Sequence, residues 1–193
     1  INVGTASFNV EGLFPYTIGR RTYNFNIQPQ PLSGAINIEG DDYVYDGNAK
    51  EPNWYFSEDR YSSLEESKDY TFAYENNTLP GTASVIVRGK GNYTSELTGT
   101  FFIDKATLRD NHYNISVPQK DISYDGKSHG AVVTTEEGVG SYTVQYAHHG
   151  QEDFTTDAPI DEGIYDVYVS FAEGPLYYGM EQTLVGKISI YKF

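Results

Sequence analysis

Gly81-Thr82-Ala83-Ser84-Val85-Ile86-Val87 alternates with period two, and the chain writes the same stretch three times. Upstream it reads Gly4-Thr5-Ala6-Ser7-Phe8-Asn9-Val10, and downstream, more loosely, Gly163-Ile164-Tyr165-Asp166-Val167-Tyr168-Val169. Successive side chains of a strand point to opposite faces, so Ala83, Val85 and Val87 share one face and Ser84, Ile86 and Arg88 the other. The copies agree on the first face, with Ala6, Phe8 and Val10 or Tyr165, Val167 and Val169. The second face varies freely, from Asn9 and Glu11 to Ile86 and Arg88. One constrained face and one free face describe a half-buried antiparallel strand. A second strand reads Tyr70, Phe72, Tyr74 on its inner face, with Tyr142, Val144, Tyr146 as its copy.

Turn signals separate these runs. Tyr45-Asp46-Gly47 returns as Tyr124-Asp125-Gly126, where glycine can take positive φ and the aspartate can bond its own turn. Gly89-Lys90-Gly91-Asn92 joins two strands as a hairpin. The boundaries fall where closing strands end. Residues 1–28 read as the last hairpin of a truncated unit, 29–104 as a full unit and 105–193 as a second, variant unit. The expected fold is all-β: tandem small antiparallel units, each an Ig-like sandwich. A β-grasp-like sheet is the alternative if Ser62-Ser63-Leu64-Glu65-Glu66-Ser67, with its serine cap and acidic first turn, forms a packed helix. An unpaired terminal hairpin exposes strand edges, so residues 1–28 are expected to dock on the next unit or pair edge-to-edge with another molecule.

Thirteen basic against twenty-seven acidic side chains give a net charge of −14, which disfavours nucleic acid and anionic membrane faces as partners. The 193 residues contain no cysteine, so the units fold without disulfide staples. No apolar run approaches the roughly 18 residues of a transmembrane span, and nothing resembles a signal peptide. The chain opens without methionine and partway through a repeat, as a piece of a longer protein would.

Repeats multiply a surface, whereas catalysis needs different residues to converge once, so a spacer or binding array is expected and an enzyme is not. His148-His149 would point to opposite faces of a strand and so would not share a metal ion. His112 and His129 stand apart from any nucleophile motif. Glu39, Asp41 and Asp42, and Glu152, Asp153, Asp157, Asp161 and Glu162, supply oxygen ligands without EF-hand spacing, and read as solvated charge. No cofactor is implied. Eighteen tyrosines and a single tryptophan remain. Most fill strand interiors, but Trp54 and the Tyr177-Tyr178 pair, which no other copy shares, are the candidate ligand-binding residues.

Tyr45-Asp46-Gly47, Pro52, Leu64, Asp69-Tyr70-Thr71, Tyr74, Asn76-Asn77, Gly81-Thr82-Ala83, Gly89 and Gly91-Asn92-Tyr93-Thr94 together resemble the YDG/MBG-type β repeat of large bacterial surface proteins. The last unit keeps Tyr124-Asp125-Gly126 but places His148-His149 where the middle unit has Asn76-Asn77, and inserts residues around Ala158-Pro159. The resemblance implies an extracellular, bacterial cell-surface module used in adhesion or as a stalk, with an unidentified host or cell-surface glycan or protein as partner, and no catalytic residue. The other reading is an accessory carbohydrate-binding module of a secreted polysaccharide-degrading enzyme, which would need an exposed aromatic platform.

Overall fold

The computed structural model describes residues 2–12, 15, 19–40, 42–118 and 121–192. Strands take 51% of the described residues and helix 2%, so the protein is all-β. It divides into two compact units, Ile1–Tyr43 with Gly47–Ile103, and Val44–Asp46 with Asp104–Phe193. The chain runs through β1 (Gly4–Glu11), β2 (Arg20–Ile27), β3 (Gln30–Pro31), β4 (Ile36–Ile38), β5 (Tyr43–Val44), β6 (Trp54–Phe56), β7 (Tyr70–Glu75), β8 (Gly81–Gly89), β9 (Tyr93–Thr94) and β10 (Glu96–Asp104). It continues through β11 (Tyr113–Ser116), β12 (Ile122–Ser123), β13 (Val132–Thr135), β14 (Tyr142–His148), β15 (Gly163–Phe171) and β16 (Met180–Tyr191).

The same plan appears twice. One four-stranded sheet has the order β5-β10-β8-β7 and the other β12-β16-β15-β14, and each is accompanied by a two-stranded sheet, β4-β6 or β11-β13. In the second unit β12 runs parallel to β16 while β16, β15 and β14 are antiparallel neighbours. The sheets pack face to face. Ile36 of β4 lies so near Gly99 of β10 that a Cβ there would sit 2.8 Å from its Cγ2. Val133 of β13 closes on Val169 and Phe171 of β15, with Tyr113 and Ile115 alongside. Each unit is therefore a two-layer sandwich in which a small sheet covers the inner face of a larger one.

The inner faces lie where the alternation puts them: Ala83, Val85 and Val87 are fully buried, as are Val167 and Val169, with Tyr165 nearly so. Ile86, expected outward, is buried as well, because β8 is central and its neighbours on that face, Ala73 and Thr98, flank it. Tyr142, expected inward, is exposed at the open end of β14, whereas Tyr146 is buried. The copies even reuse a lock. Tyr74 Oη donates to Pro52 O at 2.6 Å, while at the matching place Tyr146 Oη accepts from Ala131 N–H at 2.9 Å. The YDG turns close as the residues predict: Asp125 Oδ1 accepts from Lys127 N–H at 2.9 Å, and Gly47 and Gly126 have φ of +82° and +72°.

The helix on which the β-grasp alternative depends, over Ser62–Ser67, does not form. A single 3-10 turn, Asp59–Tyr61, precedes it, and Ser67 takes φ of +67°. Asp69 captures the backbone instead, its Oδ2 accepting from Glu65 N–H at 3.1 Å while its own N–H donates to Glu65 O at 2.8 Å. An aspartate offering such local bonds competes with helix propagation. With no packed helix, the β-grasp alternative falls.

The first hairpin departs from burial expectations. Register pairs Ala6 with Phe25, Phe8 with Tyr23 and Val10 with Arg21 on one face, and Thr5 with Asn26, Ser7 with Asn24, Asn9 with Thr22 and Glu11 with Arg20 on the other. One face is thus aromatic and aliphatic, with Phe8 stacked on Tyr23 at 5.3 Å. The other face is polar, tied by Thr22 Oγ1 to Asn9 Oδ1 at 2.7 Å and by the Arg20–Glu11 ion pair at 3.4 Å. Phe8 is 54% exposed although its counterparts Val85 and Val167 are fully buried. Among the described residues the hairpin is fastened near its base, where Val3 N–H donates to Asn92 Oδ1 at 2.8 Å. No second layer covers its apolar face among the described residues. Backbone amides from Phe8 to Val10 should therefore exchange with solvent orders of magnitude faster than those from Val85 to Val87, as local opening follows buried contacts. Hydrogen exchange read by mass spectrometry or NMR checks this, and equal protection would mean the hairpin is covered in solution.

Candidate functional site

Strands β6 and β7 are neighbouring edges of different sheets in the first unit, and no hydrogen-bonded ladder joins them. Alternation turns Trp54 and Phe56 of β6, and Tyr70, Phe72 and Tyr74 of β7, into the gap between the layers. The 57–69 connection closes one side of it. The result is a groove of about 720 Å³ floored by these rings and edged by Glu39, Glu58 and Asp59. Trp54 is at its centre, its ring 5.1 Å from Phe72, 5.5 Å from Phe56 and 5.6 Å from Tyr70, all edge-to-face. Such pairs hold the rings rigidly, each adding on the order of 1 kcal/mol beyond area burial. Burial, and then the charge of Glu66, pushes the Tyr70 phenol up; burial and then Glu51 do the same to Tyr74, so both stay protonated donors at neutral pH.

The second unit closes the equivalent space. It has Val133, Thr135 and Val144 where the first has Trp54, Phe56 and Phe72. Its inserted segment pairs with the free edge of β14, Tyr146 and Thr155 exchanging N–H···O bonds of 2.8 and 2.9 Å, and Ala158 packs on the core. Copy-to-copy comparison at strand positions, rather than at loops, is the sequence signal that marks this groove; Tyr70 and Phe72 join Trp54 by that route.

Tyr177 and Tyr178 do not form a shared platform. The stretch bridges to Ala106, Tyr178 N–H donating to Ala106 O at 2.9 Å, and consecutive residues of an extended segment diverge. Tyr177 packs on His112 at 4.3 Å and on Tyr45 at 5.9 Å, and burial, then Tyr45 and Glu136, raise its phenol above the ordinary value. Tyr178 donates its hydroxyl to Asp104, the main reason its own phenol is raised. The Tyr177 ring is packed within the unit, whereas Tyr178 is tied by its hydroxyl and its side chain stays 42% exposed.

The histidine pair diverges at the end of β14, His148 being its last residue and His149 the first of the following turn. His148 Nδ1 meets Asp153 Oδ2 at 2.6 Å and its ring lies 4.9 Å from Tyr165. His149 Nδ1 meets Asp166 Oδ2 at 3.0 Å, and Lys187 Nζ is 3.7 Å from Asp166 Oδ1. His129 Nε2 caps the YDG turn through Asp125 Oδ1 at 2.9 Å. Asp41 lies outside the described residues, and among those residues no three histidine or acidic side chains converge on a point that could hold a metal ion. No helix among them is long and apolar enough to cross a membrane.

Asp166 is 4% exposed. Burial pushes its carboxyl up, but the His149 bond, the Gly150 amide and the nearby charges of His149 and Lys187 outweigh it and hold the carboxyl below its ordinary value. A depressed carboxyl contributes stability above the unfolded value of about 3.9, and that contribution is lost as pH falls through the folded value. Asp166→Asn should cost about 1–3 kcal/mol at pH 7. In urea titrations the gap between it and the parent should narrow as pH drops below about 4. A gap that stays constant down to acid pH would mean the Asp166 charge contributes nothing.

A scan against protein-family models finds no match to the chain, and a search of curated proteins finds none either.

Proposed function

We propose that the chain is a non-catalytic repeat region of a bacterial cell-surface adhesin, built of YDG/MBG-type repeats and working outside the cell as a stalk or ligand-display module. The observation that carries this reading is one sandwich used twice with equivalent bonds at equivalent places. The tyrosine of each YDG turn donates its N–H to the end of a closing strand, Tyr45 to Asp104 O and Tyr124 to Tyr191 O, at 2.8 Å in both cases. Because β12 runs parallel to the final strand β16, tension along the chain pulls the pair in opposite directions and shears it. Sheared hydrogen bonds share the load, whereas a hairpin pulled at its open end gives way one bond at a time. This geometry suits an element that must stay folded under tension.

Its partners would be a host or cell-surface glycan or protein, with β1 and β2 free to pair edge-to-edge with another molecule. A net charge of −14 works against nucleic acid. The aromatic groove around Trp54 favours a second reading, an accessory carbohydrate-binding module of a secreted polysaccharide-degrading enzyme.

Pulling single chains from their two ends tests the stalk. Two separate force peaks are expected, and Tyr124→Pro should lower the one belonging to the second unit, since proline removes the N–H that meets Tyr191. Smooth extension without a peak would end the stalk reading.

A further inference from the structure

The groove of the first unit is more than a gap in packing, because its polar edge is unspent. Among the described residues the Trp54 indole N–H and the Tyr70 hydroxyl have no hydrogen-bond partner, and the carboxylates of Glu39 and Asp59 have neither a hydrogen bond nor an ion pair. Tyr74, by contrast, has committed its hydroxyl to Pro52. The groove thus sets two free donors and two free acceptors around a row of rings whose neighbouring centroids lie 5.1–5.8 Å apart. Its volume of about 720 Å³ lies within the usual range of small-molecule sites, about 300–1,000 Å³.

We propose that this groove binds a neutral oligosaccharide, an assignment that rests on the ligand-display reading and names its ligand class. A pyranose chain presents apolar C–H faces to aromatic rings while its hydroxyls both donate and accept at the edges, which is the complement of what the groove offers. Acidic sugars are refused by Glu39, Glu58 and Asp59, which crowd one rim of a chain already at −14. A cationic ligand is less well matched, because the protein has placed its own cation there. Arg60 lies over the Tyr61 ring at 4.8 Å and pairs with the groove's Glu58 at 3.7 Å, so one rim carboxylate is already neutralised from within the unit. The second unit cannot share the activity, since Val133 and Val144 replace the key rings and the Thr155 segment covers the strand edge.

Trp54 is the sole tryptophan of the chain, so its fluorescence reports on this groove and nowhere else. Titration with the hexaoses of glucose, xylose, mannose and N-acetylglucosamine in β-1,4 linkage, with calorimetry in parallel, should give saturable binding and a fluorescence change for at least one. Tyr70→Phe, which keeps the ring, should weaken that binding about fivefold, the loss of roughly one hydrogen bond. Trp54→Ala should abolish it, with circular dichroism checking the fold. Silence in both fluorescence and heat across the four sugars would overturn the proposal, as would unchanged affinity in Tyr70→Phe together with folded Trp54→Ala. Saturation by an oligolysine peptide alone would also overturn it and make the groove a peptide-docking edge. None of these outcomes alters the force peaks of the pulled chain, so a silent groove and a failed stalk are told apart.

Discussion

A strand face lined with valine and aromatic rings has to be covered, and this requirement organises the whole chain. Burying such a face gains on the order of 25 cal/mol per Å² of apolar surface, and small units have little else to offset the entropy of ordering. In the first unit the cover is the β4-β6 ladder, with Ile36 pressed on Gly99. In the second it is β11-β13, with Val133 pressed on Val169 and Phe171. The opening hairpin states the same rule by exception. It keeps a complete backbone ladder and a clean division between an apolar and a polar face, yet Phe8, Val10, Tyr23 and Phe25 stay roughly half exposed because no second layer of the described residues lies over them.

Covering a large sheet with a small one leaves one flank of each sandwich only partly closed, and the two copies treat that flank differently. The second fills it with short side chains and an inserted segment that borrows the free edge of β14 through Thr155. The first fills it with rings. Four large aromatics meeting edge-to-face cannot pack as densely as interdigitated aliphatics, and the 57–69 connection walls the gap without sealing it. A groove is therefore the packing consequence of exchanging Val133, Thr135 and Val144 for Trp54, Phe56 and Phe72 on an otherwise shared frame.

Much of the frame was legible in the chain because strand alternation is a local signal. Ala83, Val85 and Val87 need only their own spacing to declare an inner face, and the YDG turns need only aspartate and glycine. The helix over Ser62–Ser67 that would have made a β-grasp sheet meets the capping rules with its serine and glutamates, but Asp69, a few residues on, defeats it by bonding Glu65 on both its amide and its carbonyl. The burial of Ile86 was not legible either, since it depends on which strand is central. Of the candidate ligand residues, Trp54 was visible as an oddity but its surroundings were not. Tyr70 and Phe72 come from another sheet, and only the fold brings them within 6 Å. Tyr177 and Tyr178 attracted notice for being unshared, yet each is engaged within its unit, by His112 and Tyr45 or by Asp104.

A polar network on one copy and an aromatic groove on the other also divide the work between them. The second unit buries Asp166 beneath His149 and Lys187 on the outer face of its large sheet and caps its turn with His129, contacts that add rigidity. The first unit has no histidine at all, and among the described residues the Trp54 N–H and the Tyr70 hydroxyl find no partner. If the first unit displays a ligand at this flank, as proposed, it must hold some donors in reserve and hold them still. The edge-to-face ring cluster meets that second demand, because each ring is fixed by its neighbours rather than by a hydrogen bond that a ligand would have to break. With the frame secured by the common two-layer rule, one unit can vary its flank without altering the ladder that both units share.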